Sequence, residues 1–172
     1  MNPFRRGGVL MLAIGWLLII GIFWWVVDEW GRREANPNRA LTVGPAGEVV
    51  LQRNRAGHFL VDGDVNGKRV TFLLDTGATY IAIPGGIARE LKLKLGPPIT
   101  LQTAAGPAPG YPTRLESVSV AGIEMRDMAA VVSEGLEPGT VLLGMNFLKR
   151  LEITQKGEQL VLKPPSRQPA SR

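Results

Sequence analysis

One aspartate lies between two apolar, strand-like runs, and this arrangement constrains the chain more than any other feature. Residues 72–74 (Phe-Leu-Leu) and 80–83 (Tyr-Ile-Ala-Ile) have the composition of buried strands. Between them lie residues 75–79 (Asp-Thr-Gly-Ala-Thr). Burying a carboxylate among apolar strands is unfavourable unless it is hydrogen-bonded or used, and Gly77 permits a tight turn beside it. The segment is therefore either an ordinary β-turn or a functional loop built around Asp75.

Two residue counts exclude several kinds of site. The 172 residues include no cysteine and one histidine, His58, so disulfides, thiolate metal sites and a multi-histidine metal centre within one chain are excluded. We predict no metal site.

The net charge is +5, but part of the excess positive charge lies in segments that we interpret below as a linker and a tail. We therefore predict no nucleic-acid partner.

An uncharged run over residues 7–27 follows a short basic N-terminus, residues 1–6. Its length suits a transmembrane helix, which needs roughly 20 apolar residues. Trp24, Trp25 and Trp30 lie at its far end, where an interfacial aromatic belt is expected. A cleaved signal peptide is the main alternative, but its apolar region is shorter, roughly 7–15 residues. We predict an uncleaved, single-pass anchor.

The flanking charges give the predicted orientation of this anchor. Arg5 and Arg6 precede the run, and Arg32 and Arg33 follow it, so the positive-inside count is nearly balanced. The short basic N-terminus favours an N-terminus on the inside. We predict a protein of the bacterial inner membrane whose domain is periplasmic.

The rest of the chain divides into a linker, one domain and a tail. Residues 28–47 have linker composition, residues 48–163 are rich in strand patterns, and residues 164–172 are predicted to be a disordered tail. Strands are predicted at residues 48–52, 58–65, 68–74, 80–83, 99–103, 111–120, 123–132, 140–143, 151–154 and 159–162. One helix is predicted over residues 86–95, where apolar residues share a face, and a helical turn over residues 145–148.

Three features in chain order carry a family resemblance. They are the Asp-Thr-Gly loop, a small-residue hairpin over residues 103–111, and Leu142-Leu143-Gly144 followed by Met-Asn-Phe-Leu at residues 145–148. Together with the N-terminal apolar run, they resemble the retropepsin-like aspartic proteases of the membrane-anchored bacterial type, over roughly residues 57–163. The resemblance implies a mostly β fold, the closed β-barrel of an acid-protease half with one short helix, behind one N-terminal transmembrane helix.

The activity implied by the resemblance is that of a membrane-anchored aspartic endopeptidase. Such enzymes use two carboxylates that share a proton and face one water molecule. This chain has a single Asp-Thr-Gly, and the family completes such a half-site by symmetric dimerisation. The implied partners are a second copy of the chain and a peptide or protein substrate. No cofactor is implied, because water is the nucleophile.

The resemblance also assigns roles to individual residues. Asp75 is the catalytic acid and base. The loop around it is supported by Thr76, which bonds across the dimer axis, by Gly77, which allows close approach, and by Ala78. The flap residues are Thr103, Ala104, Ala105 and Gly106. The apolar support behind the loop is Leu142, Leu143 and Gly144.

Two alternative functions remain open from the sequence. A catalytically silent relative would keep the fold and bind peptides, tethered to the membrane. A membrane-tethered scaffold would use the Asp75 segment only as a turn. The prolines at positions 107 and 109 are expected to stiffen the flap.

Overall fold

The computed structural model describes residues 14–26, 36–39, 41, 43–44, 47–103 and 106–164. The chain divides into two compact units, Met1–Ala35 and Asn36–Arg172. In the first unit, residues 14–26 form helix α1, whose apolar side chains are exposed. No helix among the described residues is both long enough and apolar enough to cross a membrane. The predicted basic N-terminus, both ends of the predicted anchor and all of the predicted tail except Pro164 lie outside the described residues.

The described part of the second unit contains ten strands and two short helices. Their bounds are β1 Val49–Gln52, β2 Leu60–Val65, β3 Lys68–Leu74, β4 Ile81–Pro84, α2 Gly85–Glu90, β5 Ile99–Thr103, β6 Gly106–Val120, β7 Ile123–Ser133, β8 Thr140–Leu143, α3 Met145–Leu148, β9 Glu152–Lys156 and β10 Gln159–Lys163. The prediction of a mostly β domain is confirmed.

Six strands close into a barrel. The larger sheet has the order β2-β3-β8-β4-β7-β6-β5, and β2 also pairs with β6. Closure occurs where Gly63 lies opposite Val120, and a Cβ atom at Gly63 would lie 2.2 Å from the Ser119 carbonyl oxygen. Glycine is therefore required where the two strands meet. Strand β5 extends β6 outside the barrel, and a smaller sheet has the order β1-β10-β9.

The barrel interior is filled by inward-facing residues, which alternate with outward-facing residues along the strands. Val61 and Val65 alternate with partly exposed residues along β2, as expected for a strand with one buried face. The largest fully buried side chains include Phe72, Phe147, Ile81, Ile83, Leu115 and Leu143. Burying each such side chain contributes about 1.5–3 kcal/mol. The strands on both sides of Asp75 thus belong to the core, which fixes the position of the loop between them.

The helix predicted over residues 86–95 is shorter than expected. Helix α2 ends at Glu90 because Lys92 adopts a left-handed conformation, with φ of 52°. The Lys92 and Leu93 amides donate hydrogen bonds to the Arg89 and Ala88 carbonyls, which is the Schellman pattern of a helix end. Glycine usually occupies this position, so a lysine there gave no stop signal. The helical turn predicted over residues 145–148 is confirmed as helix α3, so this unit has two short helices where the predicted fold had one.

Strand β6 begins at Gly106, within the predicted small-residue hairpin over residues 103–111, and not at residue 111 as predicted. Pro107 and Pro109 oppose residues of β5, whereas β7 pairs with β6 only from Gly110 onward. Pro112 lies beyond the last residue of β6 that pairs with β5. Backbone nitrogens alternate in direction along a strand. The nitrogens of Pro107 and Pro109 can therefore point away from β5, and that of Pro112 can point away from β7. This register accommodates the prolines within the strand.

Part of the predicted linker, residues 28–47, contacts the domain closely. Asn38 is 3% exposed, and its Nδ2 donates to the carbonyls of Gln52 and Leu60, both at 2.8 Å. Its Oδ1 accepts from the Gln52 amide at 2.7 Å. Asn36 Nδ2 donates to Asp62 Oδ1 at 2.9 Å. Contacts with β1 and β2 therefore begin at least as early as Asn36.

Candidate active site

Asp75 directly follows β3, and its loop is held by hydrogen bonds at both ends. The Asp75 amide donates to the Leu143 carbonyl at 3.2 Å, and the Ala78 amide donates to the Asp75 carbonyl at 3.3 Å. The Gly77 amide donates to Asp75 Oδ1 at 2.8 Å. A backbone donor to a carboxylate is a charge-assisted bond. The orientation of the Asp75 carboxylate is therefore set by its own loop.

Strand β8 passes behind this loop and joins the two strands that flank it. It pairs in parallel with β3, where Leu73 lies opposite Leu142, and it pairs with β4 between Ala82 and Leu142. Leu143 is fully buried and Leu142 is half-buried. The structure therefore brings the predicted apolar support against the predicted active-site loop.

Gly144 lies where the backbone of the loop approaches most closely. A Cβ atom at this position would lie 2.3 Å from the Tyr80 carbonyl oxygen and 2.8 Å from the Ala78 carbonyl oxygen. The next amide, that of Met145, donates to the Ala78 oxygen at 2.7 Å. Any residue can adopt the Gly144 φ of −82°, so the backbone conformation does not require glycine. Glycine is needed at position 144 because of this close contact.

Asn146 is a positioning residue that the sequence analysis did not single out. Its Oδ1 accepts from the Ile81 amide at 3.1 Å, its Nδ2 donates to the Ala129 carbonyl at 2.7 Å, and its own amide donates to the Thr79 carbonyl at 3.0 Å. It thus ties the end of the Asp75 loop to α3 and β7. One available signal was that Asn146 is the only polar side chain among the eight residues 141–148.

The tip of the Asp75 loop faces the protein surface. Thr76, Gly77 and Thr79 are exposed, and Asp75 and Ala78 are half-buried. The carboxylate is accessible to a ligand, and the loop around it is accessible to another protein. This exposure is compatible with a site that one chain supplies only in part.

Two of the predicted flap residues, Thr103 and Gly106, lie at the end of a separate hairpin formed by β5 and β6. Thr103 ends β5 and pairs with Gly106, the first residue of β6. Thr103 Oγ1 donates to the Gly106 carbonyl at 2.6 Å, and Gly106 has a φ of 105°. Ala104 and Ala105 lie outside the described residues. Hydrogen bonds join the Asp75 loop to residues 143–146, whereas those described for Thr103 and Gly106 stay within the hairpin.

Among the described residues, the pKa values of Arg114 and Asp127 are shifted, and both residues lie outside this loop. Arg114 of β6 contacts Asp127 of β7 through two hydrogen bonds. The guanidinium lowers the pKa of the Asp127 carboxyl, and the carboxylate raises the pKa of Arg114. Both groups are exposed to solvent.

Among the described residues, no group of three or more histidine, cysteine, aspartate or glutamate side chains could hold a metal ion.

For the peptidase activity that the family resemblance implies, replacing Asn146 by alanine is expected to slow turnover by at least about tenfold, because the Asp75 loop loses its attachment to α3 and misplacement of a reacting group is costly. The change leaves the Ile81 amide and the Ala129 carbonyl without their partner, which destabilises a protein by about 1–3 kcal/mol. The measurement is kcat on a cleaved peptide together with the free energy of unfolding.

Asn38→Ala is the control, because the Asn38 side chain also bonds backbone groups, three of them against two for Asn146, but does so at β1 and β2. We expect a similar loss of stability with little change in kcat. An equal fall in kcat for both variants would show that Asn146 acts only through stability.

Comparison with known proteins places this site in a family. The family model described as gag-polyprotein putative aspartyl protease matches residues 61–150. An uncharacterised protein from the cobV 5′ region of Sinorhizobium sp is 38% identical over 111 residues, which cover 63% of this chain and 48% of that protein. An uncharacterised protein of Rickettsia prowazekii is 35% identical over 109 residues, which cover 62% and 46%. The chain spans about half the length of these curated relatives.

A solved structure agrees with the family match. The retropepsin-like aspartic protease from Rickettsia conorii is 31% identical to this chain, with a TM-score of 0.57 over 69% of this chain and 91% of that one. The residues matched by the family model begin in β2 and end just beyond α3, so they include the Asp75 loop, the flap hairpin and Gly144. The chain therefore belongs to the retropepsin-like aspartic protease family.

Proposed function

We propose that this protein is an aspartic endopeptidase whose catalytic dyad consists of two Asp75 residues, one from each of two copies. The observation that carries the proposal is the accessible Asp75 carboxylate, oriented by the Gly77 amide on a loop that the barrel core fixes in place. The family supports peptide-bond hydrolysis. The single Asp-Thr-Gly in the chain supports a shared site.

The proposed reaction needs one proton on the dyad. Two carboxylates a few ångströms apart cannot both ionise, so one stays protonated. The ionised carboxylate removes a proton from water, while the protonated one donates a hydrogen bond to the scissile carbonyl oxygen. Water attacks the carbonyl carbon, and the tetrahedral intermediate collapses when the amine leaves with a proton from the dyad. No covalent bond to the enzyme forms.

The surrounding residues serve this reaction by orientation. The bonds from Leu143, Met145 and Asn146 hold the loop backbone, and catalytic groups need such support to keep their geometry. The hairpin of β5 and β6 is the proposed flap, which closes over the substrate and excludes water. Its prolines, Pro107 and Pro109, stiffen β6 where it pairs with β5.

We also propose that residues 7–27 anchor the protein in a membrane, with the barrel on the periplasmic side. The uncharged run and its flanking tryptophans support an anchor, as do the exposed apolar side chains of α1. The full chain is expected to stay in the membrane fraction after alkaline carbonate extraction, whereas a chain lacking residues 2–27 is expected to be released. Release of both forms would contradict the anchor.

The proposed activity is tested with the full chain, purified in mild detergent. The protein is incubated with a mixed peptide library at a series of pH values from acid to neutral. Internal cleavage of peptides, read by mass spectrometry, supports an endopeptidase. The absence of cleavage by a chain shown to be dimeric in the same buffers would contradict it and favour the silent peptide-binding module.

A further inference from the structure

The connection between α2 and β5 exposes apolar side chains next to two lysines. Leu91 and Leu93 are partly buried against the core, whereas Lys92 and Lys94 are exposed. The alternation of buried leucine and exposed lysine then breaks, because Leu95 is 50% exposed. Two exposed lysines are thus followed directly by a leucine that the core does not cover.

The exposed apolar stretch continues to the start of β5. Pro97 and Pro98 are exposed, and Ile99 is 40% exposed. We refer to the whole stretch, from the first lysine to this isoleucine, as the 92–99 segment. Contiguous exposed apolar surface of this kind marks a contact site for a protein or a membrane.

Hydrogen bonds to β6 hold the backbone of this segment in place. The Gly96 amide donates to the Pro112 carbonyl at 2.7 Å, and Thr113 Oγ1 donates to the Lys94 carbonyl at 2.8 Å. The exposure of Leu95 is therefore built into the fold. A partner that binds here does not have to order the backbone first, and such ordering weakens association.

The charge of this region is positive only. Residues 91–113 include two lysines and no acidic residue, and neither lysine forms a salt bridge within the described part of the chain. The preceding Glu90 is paired with Lys68. Both lysines of the 92–99 segment are therefore available to an anionic partner.

A lipid surface fits this combination better than a protein does. The contacts that dominate protein interfaces are enriched in tryptophan, tyrosine and arginine, and residues 91–110 contain none of them. Leucine and isoleucine beside lysines are typical of segments that lie in the interface of a bilayer. Lysines close to anionic headgroups strengthen such binding.

We propose that the 92–99 segment is a membrane-contact surface, in which Leu95 and Ile99 enter the headgroup region and Lys92 and Lys94 bind anionic lipid headgroups. Because β5 begins at Ile99, the contact would bring the base of the proposed flap to the bilayer. Substrate segments close to a membrane would then be favoured. This consequence for substrates rests on the proposed function, whereas the contact itself does not.

A single labelled cysteine reports the contact, because the full chain has no cysteine of its own. Pro97→Cys carries a fluorophore whose emission shifts to the blue in apolar surroundings. Pro138→Cys, at an exposed proline in the connection between β7 and β8, is the matched control. Both full chains are reconstituted in vesicles of phosphatidylcholine mixed with phosphatidylglycerol. At position 97 alone, we expect a blue shift and at least about twofold quenching by nitroxide-labelled lipids.

Removing both lysine charges tests the preference for anionic lipid. In the labelled Pro97→Cys chain, Lys92→Gln with Lys94→Gln is expected to lower the ratio of contacting to free barrels by about 25-fold, since each lysine near an anionic surface contributes about fivefold. Lys149→Gln with Arg150→Gln removes two exposed charges beyond α3. This control is expected to change the ratio by less than about twofold.

The consequence for substrates is tested with one peptide, offered free in solution and attached to a lipid. We expect Lys92→Gln with Lys94→Gln to cleave the free peptide within about twofold of the wild-type rate and the attached peptide at least about fivefold more slowly. An equal fall on both peptides would overturn the link between contact and substrate. Thermal unfolding shows that each variant retains its fold.

The readouts distinguish this inference from the proposed function and the proposed anchor. Equal quenching at positions 97 and 138, or equal quenching at position 97 in vesicles of phosphatidylcholine alone, would overturn the contact. A blue shift without quenching by nitroxide-labelled lipids would show that protein covers the segment, and would also overturn it. Lipid contact by a chain that cleaves no peptide would refute the activity alone, and release by carbonate would refute the anchor alone.

Discussion

Replacing Asp75 by asparagine is expected to lower kcat/KM for peptide cleavage by at least about 10³-fold, because proton transfer by a positioned side chain contributes about 10²–10⁴ and both members of the dyad are lost together. The amide cannot accept a proton from water. Its oxygen can still accept the Gly77 hydrogen bond, which is 2.8 Å long in the native loop. We therefore expect the melting temperature to change little while activity disappears.

The control for this variant is Asp64→Asn, which also exchanges a carboxylate for an amide. Asp64 lies in β2, opposite Arg69 of β3, and is not part of the Asp75 loop. We expect this variant to retain at least half of the wild-type activity. If Asp75→Asn retained a tenth or more of the wild-type activity with an unchanged fold, Asp75 would be only a turn residue. That result would favour the scaffold alternative.

Replacing Gly144 by alanine is expected to be the most destabilising single change near the site. The new methyl group would lie 2.3–2.8 Å from backbone atoms of Tyr80 and Ala78, and backbone cannot move aside as a flexible side chain does. Overpacking costs about 1–3 kcal/mol and occasionally more, so we expect a loss of about 3 kcal/mol. Urea unfolding and residual peptide cleavage measure the two consequences, stability and loop displacement.

Gly86→Ala is the matched control for this prediction. A Cβ atom at Gly86 would have no heavy atom within 4 Å, and Gly86 lies inside helix α2. Alanine is favoured over glycine in a helix by about 1 kcal/mol, so this variant is expected to be as stable as wild type or more so. Equal stability of the two variants would show that the Asp75 loop can move away from β8 at little cost.

The strands of the domain could be predicted well because their local signals agree with their tertiary setting. Asn66-Gly67 marks the hairpin that leads into β3, and the apolar runs before and after Asp75 are strands β3 and β4. The Asp75 loop could be located for the same reason. The functional interpretation of this loop came from the family resemblance, because an Asp-Thr-Gly on its own is also compatible with an ordinary turn.

The features that escaped prediction depend on contacts between distant segments. The prolines at 107 and 109 fit a strand because of where β7 begins to pair. The end of α2 depends on Lys92, a residue with no special turn propensity. Asn146 bonds to Ala129, 17 positions away, and to Ile81, 65 positions away. Local composition and periodicity carry no information about contacts between residues so far apart in the sequence.

The central claim, that one chain holds half of a site, is tested most directly by mixing subunits. Wild-type chain is held at a concentration where it is dimeric, and increasing amounts of Asp75→Asn are added before peptide cleavage is measured. Random pairing predicts that activity falls to about half at equal amounts and to about one tenth at a ninefold excess, because each mixed dimer lacks one carboxylate. Activity that stays constant under a ninefold excess of a variant shown to exchange subunits would contradict the shared dyad.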